Sequence, residues 1–410
     1  MVADVGSERR SAMVTDWTTP RTAPVGRSQS GGWSRVLDRE SPLRRADWVL
    51  ACAALLLSLF GAVLVWAATR QHALDAHLDP NAFLKKHLLN LAIGLVLAVG
   101  TTLVDHRLLR AYTPVVYVLS CIGLVAVLSP LGSTVNGAKS WIAIGGGFTL
   151  QPSEFAKVAV VVGLAMLLGE KRDGENRPRS TDALISLGLC VVPIGLILLQ
   201  PDLGTVLVLV FIVFAVLAVS GVSSRWLAGL VLVGGLMVFG AVHAGALSKY
   251  QVDRITAFTH PNDNSHSTGW NTAQARIAIG SGGLTGKGLF KGPQTNGQFV
   301  PEQQTDFVYT VAGEEFGLVG AGGVIALFGV VLWRGLRIAT KATDTFGTLV
   351  AVGVVAWFTF QGFENIGMTL GIMPVTGLPL PFVSYGGSSM FANMVAIGLL
   401  QNVHLRTRVG

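Results

Sequence analysis

Repeated apolar runs of about twenty residues constrain this chain more than any other feature. The first begins at Trp48 and reads WVLACAALLLSLFGAVLVWAA. A helix of about 20 apolar residues crosses a bilayer core. The run exceeds a signal-peptide core, and no small-residue cleavage site followed by a soluble domain comes after it. Further runs follow at approximately 87–104, 112–130, 153–169, 183–200, 203–220, 227–246, 307–332, 346–363 and 388–404. Composition agrees, with 51% hydrophobic and 13% charged residues, where a soluble chain carries about 25% charged. The expected fold is an all-α polytopic membrane protein of about ten transmembrane helices. A large outer loop should precede the eighth, and a re-entrant outer segment the tenth.

Residues 1–46 are rich in Ser, Arg, Thr, Gly and Pro and lack apolar periodicity, so they read as a disordered cytoplasmic tail. Residues 47–410 form the transmembrane domain, with 247–306 as its large extracytoplasmic loop. The net charge of +7 does not imply nucleic acid, because topology explains it. Eight arginines lie in the tail, and with that tail inside, the inner loops become DHRLLRAY, EKRDGENRPRS, SSRW and WRGLRIATKATD. These stretches, the tail and the final HLRTR hold about two-thirds of the Lys and Arg. Both termini are therefore expected in the cytoplasm. Cys52, Cys121 and Cys190 fall inside apolar runs and show neither disulfide nor metal spacing.

The outer side receives the unusual segments: GAKSWIAIGGGFTLQPSE, LQPDLGT, the stretch from about Lys249 to Asp306, and GIMPVTGLPLPFVSYGGSS. The last is apolar yet rich in Pro and Gly. Such backbone is tolerated at membrane depth only where protein or water satisfies it, commonly beside a cavity. In QPSEFAK, Glu154 and Lys157 share a helix face and can pair. The pair is either a structural brace or part of a cavity, since charges inside a membrane mark pathways. Asp202 in QPDLGT is either a helix N-cap or a substrate contact. Asp306 sits at the outer end of its span, where it can meet both water and a lipid head group. Glu314 and Glu315 lie two to three turns deeper and read as structural partners, on a helix bent by Gly313, Gly317 and Gly320. Glu364 reads as structural.

Lys139, Lys249, Arg254, Arg276, Lys287 and Lys291 gather on the outer side against the inner bias. They are either solvated loop charges or a clamp on an anionic substrate such as a pyrophosphate. The stretch GGLTGKGLFKG lacks the Lys-Ser/Thr step and the preceding strand of a nucleotide loop. An outward enzyme has no nucleotide donor, so its substrate must arrive activated. The residues alone leave enzyme and transporter both open.

Six stretches occurring in order, GAKSWI, QPSEFAK, QPDLGT, GWNTAQARIAIGSGGLTGKGL, FVPEQQTDFVYTVAGEEFGLVG and MPVTGLPLPFVSYGGSS, resemble the SEDS family of shape, elongation, division and sporulation proteins. The likeness covers roughly residues 47–405 and is greatest to RodA-type elongation members, with the division-type FtsW polymerase as the alternative. One departure is Ser140, where many members carry Arg; Lys139 stands just before it. The resemblance implies a peptidoglycan glycosyltransferase in the bacterial cytoplasmic membrane, which polymerises lipid II during cell elongation and releases undecaprenyl pyrophosphate. It implies a class B penicillin-binding protein as partner and no nucleic acid. It places a catalytic aspartate at Asp306 and cavity charges at Glu154, Lys157 and Asp202; Lys139, Arg276 and Lys287 are the loop cations assigned to substrate. No cofactor is required by this reading, with a divalent cation, Mg or Mn, left open to assist the leaving pyrophosphate. The rival activities are lipid II flipping and a non-catalytic scaffold that activates the partner.

Overall fold

Asp47 opens the first helix: its Oδ1 accepts the Leu50 N–H at 3.1 Å, which satisfies one of the unpaired donors of a helix start. The computed structural model describes residues 45–135, 138–145, 148–170, 178–243, 245 and 268–407. The expected tail up to residue 44, with Lys249 and Arg254, lies outside them. From Asp47 the chain runs through α1 (Trp48–Asp75), α2 (Ala82–Leu103) and α3 (His106–Leu128). It then forms β1 (Gly132–Val135), β2 (Ala138–Gly145) and β3 (Phe148–Leu150). Helices α4 (Pro152–Gly169), α5 (Ser180–Leu198), α6 (Leu203–Ser220) and α7 (Ser224–His243) follow. After them come α8 (Thr268–Ser281), the single turn α9 (Pro293–Asn296), α10 (Val308–Lys341), α11 (Thr345–Leu370) and α12 (Gly387–Arg406).

Among the described residues, eight helices, α1–α6, α10 and α11, are long and apolar enough to cross a bilayer. Large apolar side chains such as Val96, Leu119, Ile185 and Val319 are exposed on them, as expected where the solvent is lipid. The seventh and tenth expected spans fall on α7 and α12. The apolar part of α7 is short, Ser224–Met237. Helix α12 is instead polar inside. Its Asn402 donates to the carbonyls of Thr101, Thr102 and Val104, covering the unpaired end of α2.

Burial separates centre from periphery. About 78% of the apolar window of α4 and 72% of that of α11 is buried, against 22% for α3. These two central helices carry the buried polar groups described below. The small antiparallel sheet, ordered β1-β2-β3, adds strands to the expected all-helical fold. It forms from the GAKSWI region, whose runs are too short for periodicity to reveal them.

Helix α10 is not continuous. Gly317 has φ 65° and ψ −158°, and the loop ahead of the helix enters that break. Leu318 N–H donates to the Gly283 carbonyl at 2.9 Å, and Lys287 N–H to that of Glu314 at 2.9 Å. A Cβ at Gly317 would stand 2.4 Å from the Gly286 nitrogen, so the close approach requires glycine. Of the three glycines expected to bend this helix, Gly317 carries the break.

Candidate active site

The Glu154–Lys157 pair expected from spacing is formed. Lys157 Nζ lies 2.8 Å from Glu154 Oε1, with the side chains 0% and 1% exposed. The same ammonium donates to Gln361 Oε1 at 2.8 Å and sits 4.7 Å from the centre of the Trp357 ring. Trp357 Nε1 also donates to Gln361 Oε1, at 2.6 Å. Trp357, Gln361 and Asn365 recur every four residues and so share one face of α11.

That face grips the Pro-rich segment at 371–386. Gln361 Nε2 donates to the Pro379 carbonyl at 2.8 Å. Asn365 Nδ2 donates to the Leu378 carbonyl at 2.7 Å. The segment's apolar side chains are buried as well: Leu380 and Phe382 at 1% and Val383 at 0%. Gly61 of α1 lets the backbone come close, since a Cβ there would meet the Val383 carbonyl oxygen at 2.5 Å. Non-helical backbone at this depth is thus satisfied by side-chain amides, as the membrane interior demands.

Asn365 Nδ2 also reaches the Asp306 carbonyl at 2.8 Å. Asp306 is half-buried in a turn whose hub is the Glu302 carbonyl, which accepts the Thr305 and Asp306 N–H groups at 3.2 and 3.0 Å. Tyr385 N–H donates to the Gln304 carbonyl at 2.9 Å, closing the turn onto the Pro-rich segment. Gln361 and Asn365 are about 6 Å apart along their helix. The charge pair and the Asp306 turn are therefore braced by neighbouring turns of α11 through consecutive carbonyls.

Asp202 caps α6, with Oδ1 accepting Thr205 N–H at 3.0 Å and Oδ2 accepting the Thr205 hydroxyl at 2.8 Å. Oδ2 also lies 3.5 Å from Gln151 Nε2 and from Ser153 Oγ, at the start of α4. The expected alternatives meet here: a helix cap, turned towards the pair's own helix. Glu314 and Glu315 brace a loop. Glu314 accepts Gln294 N–H at 2.8 Å, Thr295 N–H at 2.9 Å and the Thr295 hydroxyl at 2.7 Å. Glu315 accepts Phe290 N–H at 3.1 Å. Glu364 is fully buried.

Of the expected cations, Lys139, Arg276 and Lys287 are carried by different elements. Lys139 Nζ donates to the Leu128 carbonyl at 3.1 Å, at the C-terminal end of α3, where a cation complements the helix dipole. Arg276 is exposed on α8, with its side chain against Gly371 at the start of the Pro-rich segment. Lys287 is exposed on the loop that enters the break of α10. Among the described residues no three His, Cys, Asp or Glu groups converge. Sequence reasoning missed Gln361 and Asn365; an amide pair at i, i+4 inside an apolar run was the available signal.

Residues 47–409 match the family model FtsW/RodA/SpoVE, described as cell cycle proteins. The chain is 35% identical over 370 residues to a probable peptidoglycan glycosyltransferase FtsW of Trichlorobacter lovleyi, covering 90% of this chain and 95% of that one. It is similar to a chain in a solved structure that describes the structural coordination of polymerization and crosslinking by a peptidoglycan synthase complex. That match has a TM-score of 0.73 and 31% identity, over 89% of this chain and 99% of that one. The rod shape determining protein RodA of Thermus thermophilus matches with a TM-score of 0.64 at 31% identity, over 89% and 98%. The match to the family model spans nearly all the residues after the N-terminal tail, and the chain belongs to the FtsW/RodA/SpoVE family.

Proposed function

We propose that this protein is a peptidoglycan glycosyltransferase that polymerises lipid II at the outer face of the cytoplasmic membrane. The observation that carries the reading is the placing of Asp306. It is half-buried, with its main chain held by Glu302 and Asn365 against a buried segment that also answers to the Glu154–Lys157 pair. A rigid support of this kind suits a group that must meet one substrate hydroxyl. Asp306 takes the proton from the 4-hydroxyl of the acceptor sugar as that oxygen attacks the donor's anomeric carbon. The bond from that carbon to the pyrophosphate breaks with inversion, and undecaprenyl pyrophosphate leaves with the electron pair. Arg276, exposed beside Gly371 at the start of the Pro-rich segment, and Lys287, exposed on the loop at the break of α10, are the proposed contacts for the pyrophosphate. Lys157 is sealed and doubly engaged, so it acts by positioning the Pro-rich segment.

The test is polymerisation of fluorescent lipid II by the purified protein with its partner, with moenomycin silencing contaminating polymerases. Asp306→Asn should lower the rate about 10²- to 10⁴-fold, the range for loss of a general base. Full activity in that variant would remove the assignment. A folded wild type that makes no glycan but moves lipid II between leaflets would favour the transporter.

A class B penicillin-binding protein is the proposed partner, supported by the crosslinking that is coordinated with polymerization in the similar synthase complex. The bias of basic residues supports cytoplasmic termini and an outward site. The RodA-like stretch around Asp306 supports the elongation type. Rescue of a rod-shaped host depleted of its own elongation polymerase, without rescue of a division-depleted one, is the expected outcome.

A further inference from the structure

A cavity lies at the opposite end of α10 from Asp306. It encloses about 520 Å³ and is lined by Asp47, Arg334, Arg337, Lys341, His404 and Thr407, contributed by the start of α1 and the ends of α10 and α12. Its charge is unbalanced. Asp47 is ion-paired with Arg334 and tied to Gln401 on both sides, through Asp47 N–H to Oε1 at 2.9 Å and Nε2 to the Asp47 carbonyl at 2.8 Å. Among the described residues, the only carboxylate in the lining is therefore committed. Among the described residues, no carboxylate lies in ion-pair range of Arg337 or Lys341.

The surroundings indicate what kind of anion fits. Trp333 is 54% exposed and Leu336 51%, so apolar surface facing lipid flanks the basic cavity. The guanidinium groups of Arg334 and Arg337 stand 5.5 and 5.8 Å from the centre of the Trp333 ring. Tryptophan with arginine at the end of a spanning helix marks the head-group layer. Planar guanidinium groups and an ammonium match phosphate oxygens, and the neighbouring apolar surface gives acyl chains a path. Basic pockets between transmembrane helices bind anionic head groups.

We propose that this cavity binds the phosphate-bearing head group of an anionic phospholipid, with Arg337 and Lys341 as the contacting cations. The site is distinct from that around Asp306 and does not depend on the activity proposed above. Native mass spectrometry of the full-length protein in detergent, titrated with phosphatidylglycerol or phosphatidylcholine, tests it. Wild type should bind phosphatidylglycerol more tightly. Arg337→Gln/Lys341→Gln should weaken that binding about 30-fold, roughly fivefold per charge, and leave phosphatidylcholine unchanged. Arg334 is left intact because its loss would strand Asp47. Arg107→Gln/Arg225→Gln removes as much charge from the starts of α3 and α7 and should bind like wild type. Equal affinity for both lipids, no effect of the first double substitution, or an equal effect of the second overturns the proposal. Displacement of phosphatidylglycerol by millimolar inorganic phosphate alone would overturn the lipid assignment and leave a soluble phosphate as the ligand.

Discussion

Glu154 and Lys157 show what sealing a charge pair entails. With both side chains at or below 1% exposure, neither ion recovers hydration, so the pair relies on its own attraction and on Gln361 and Trp357. Removing one partner strands the other and costs about 3–5 kcal/mol, whereas removing both is often close to neutral. Lys157→Met or Glu154→Gln should therefore lower thermal stability in detergent sharply, and the double variant should recover much of the loss. Equal and additive losses would show that the two groups act independently. Activity should separate from stability here, because the double variant loses the Lys157 bond to Gln361 Oε1 and leaves that oxygen to Trp357 alone, which loosens one anchor of the Pro-rich segment. The charged pair was legible from an i, i+3 spacing. Gln361 and Asn365 were not, because their acceptors lie 18 and 13 residues away in a segment without periodicity.

At the scale of elements, α10 is the instructive case. Its apolar run reads as one helix, yet the structure breaks it at Gly317 and inserts the loop containing Gly283 and Gly286. The glycine-rich stretch GGLTGKGL that superficially suggests a phosphate loop instead supplies a backbone that can approach another backbone. Glu314 and Glu315 were expected as structural partners; the groups they hold are on this loop and the turn after it, which local patterning could not indicate. Gly317→Ala would force a side chain into a positive-φ position and against the Gly286 nitrogen. The conformational part alone costs about 1 kcal/mol or more, and the contact adds to it. Gly322→Ala is the matched control: it lies on the same helix, and a Cβ there meets nothing within 4 Å. That change should be neutral or stabilising by up to about 1 kcal/mol. Thermal denaturation and limited proteolysis of the 282–303 loop separate the two. A Gly317→Ala protein as stable and protease-resistant as wild type would mean the break is not imposed by this contact.

For the whole molecule, apolar run length delivered the membrane class and the positions of the helices, because burial in lipid is a local demand on each segment. It did not deliver which helices are central. Helices α2 and α4 read alike in sequence, but one faces lipid and the other is sealed, and only packing between distant segments decides. Closure of the fold at the end opposite Asp306 rests on such a distant contact. Asp47 caps α1, pairs with Arg334 of α10 and binds Gln401 of α12, so one side chain joins the start of the domain to two helices near its end. The expected tail finishes just before it. Deleting residues 1–40 keeps this junction and removes a stretch without apolar periodicity, so insertion, thermal stability and polymerisation should match the full chain. Asp47→Ala keeps the tail and removes the junction, leaving the Arg334 guanidinium, 15% exposed, without its carboxylate. A loss of about 3–5 kcal/mol is expected from that stranded charge. If the truncation unfolds the protein while Asp47→Ala does not, the stability of this end resides in the tail and not in the ion pair.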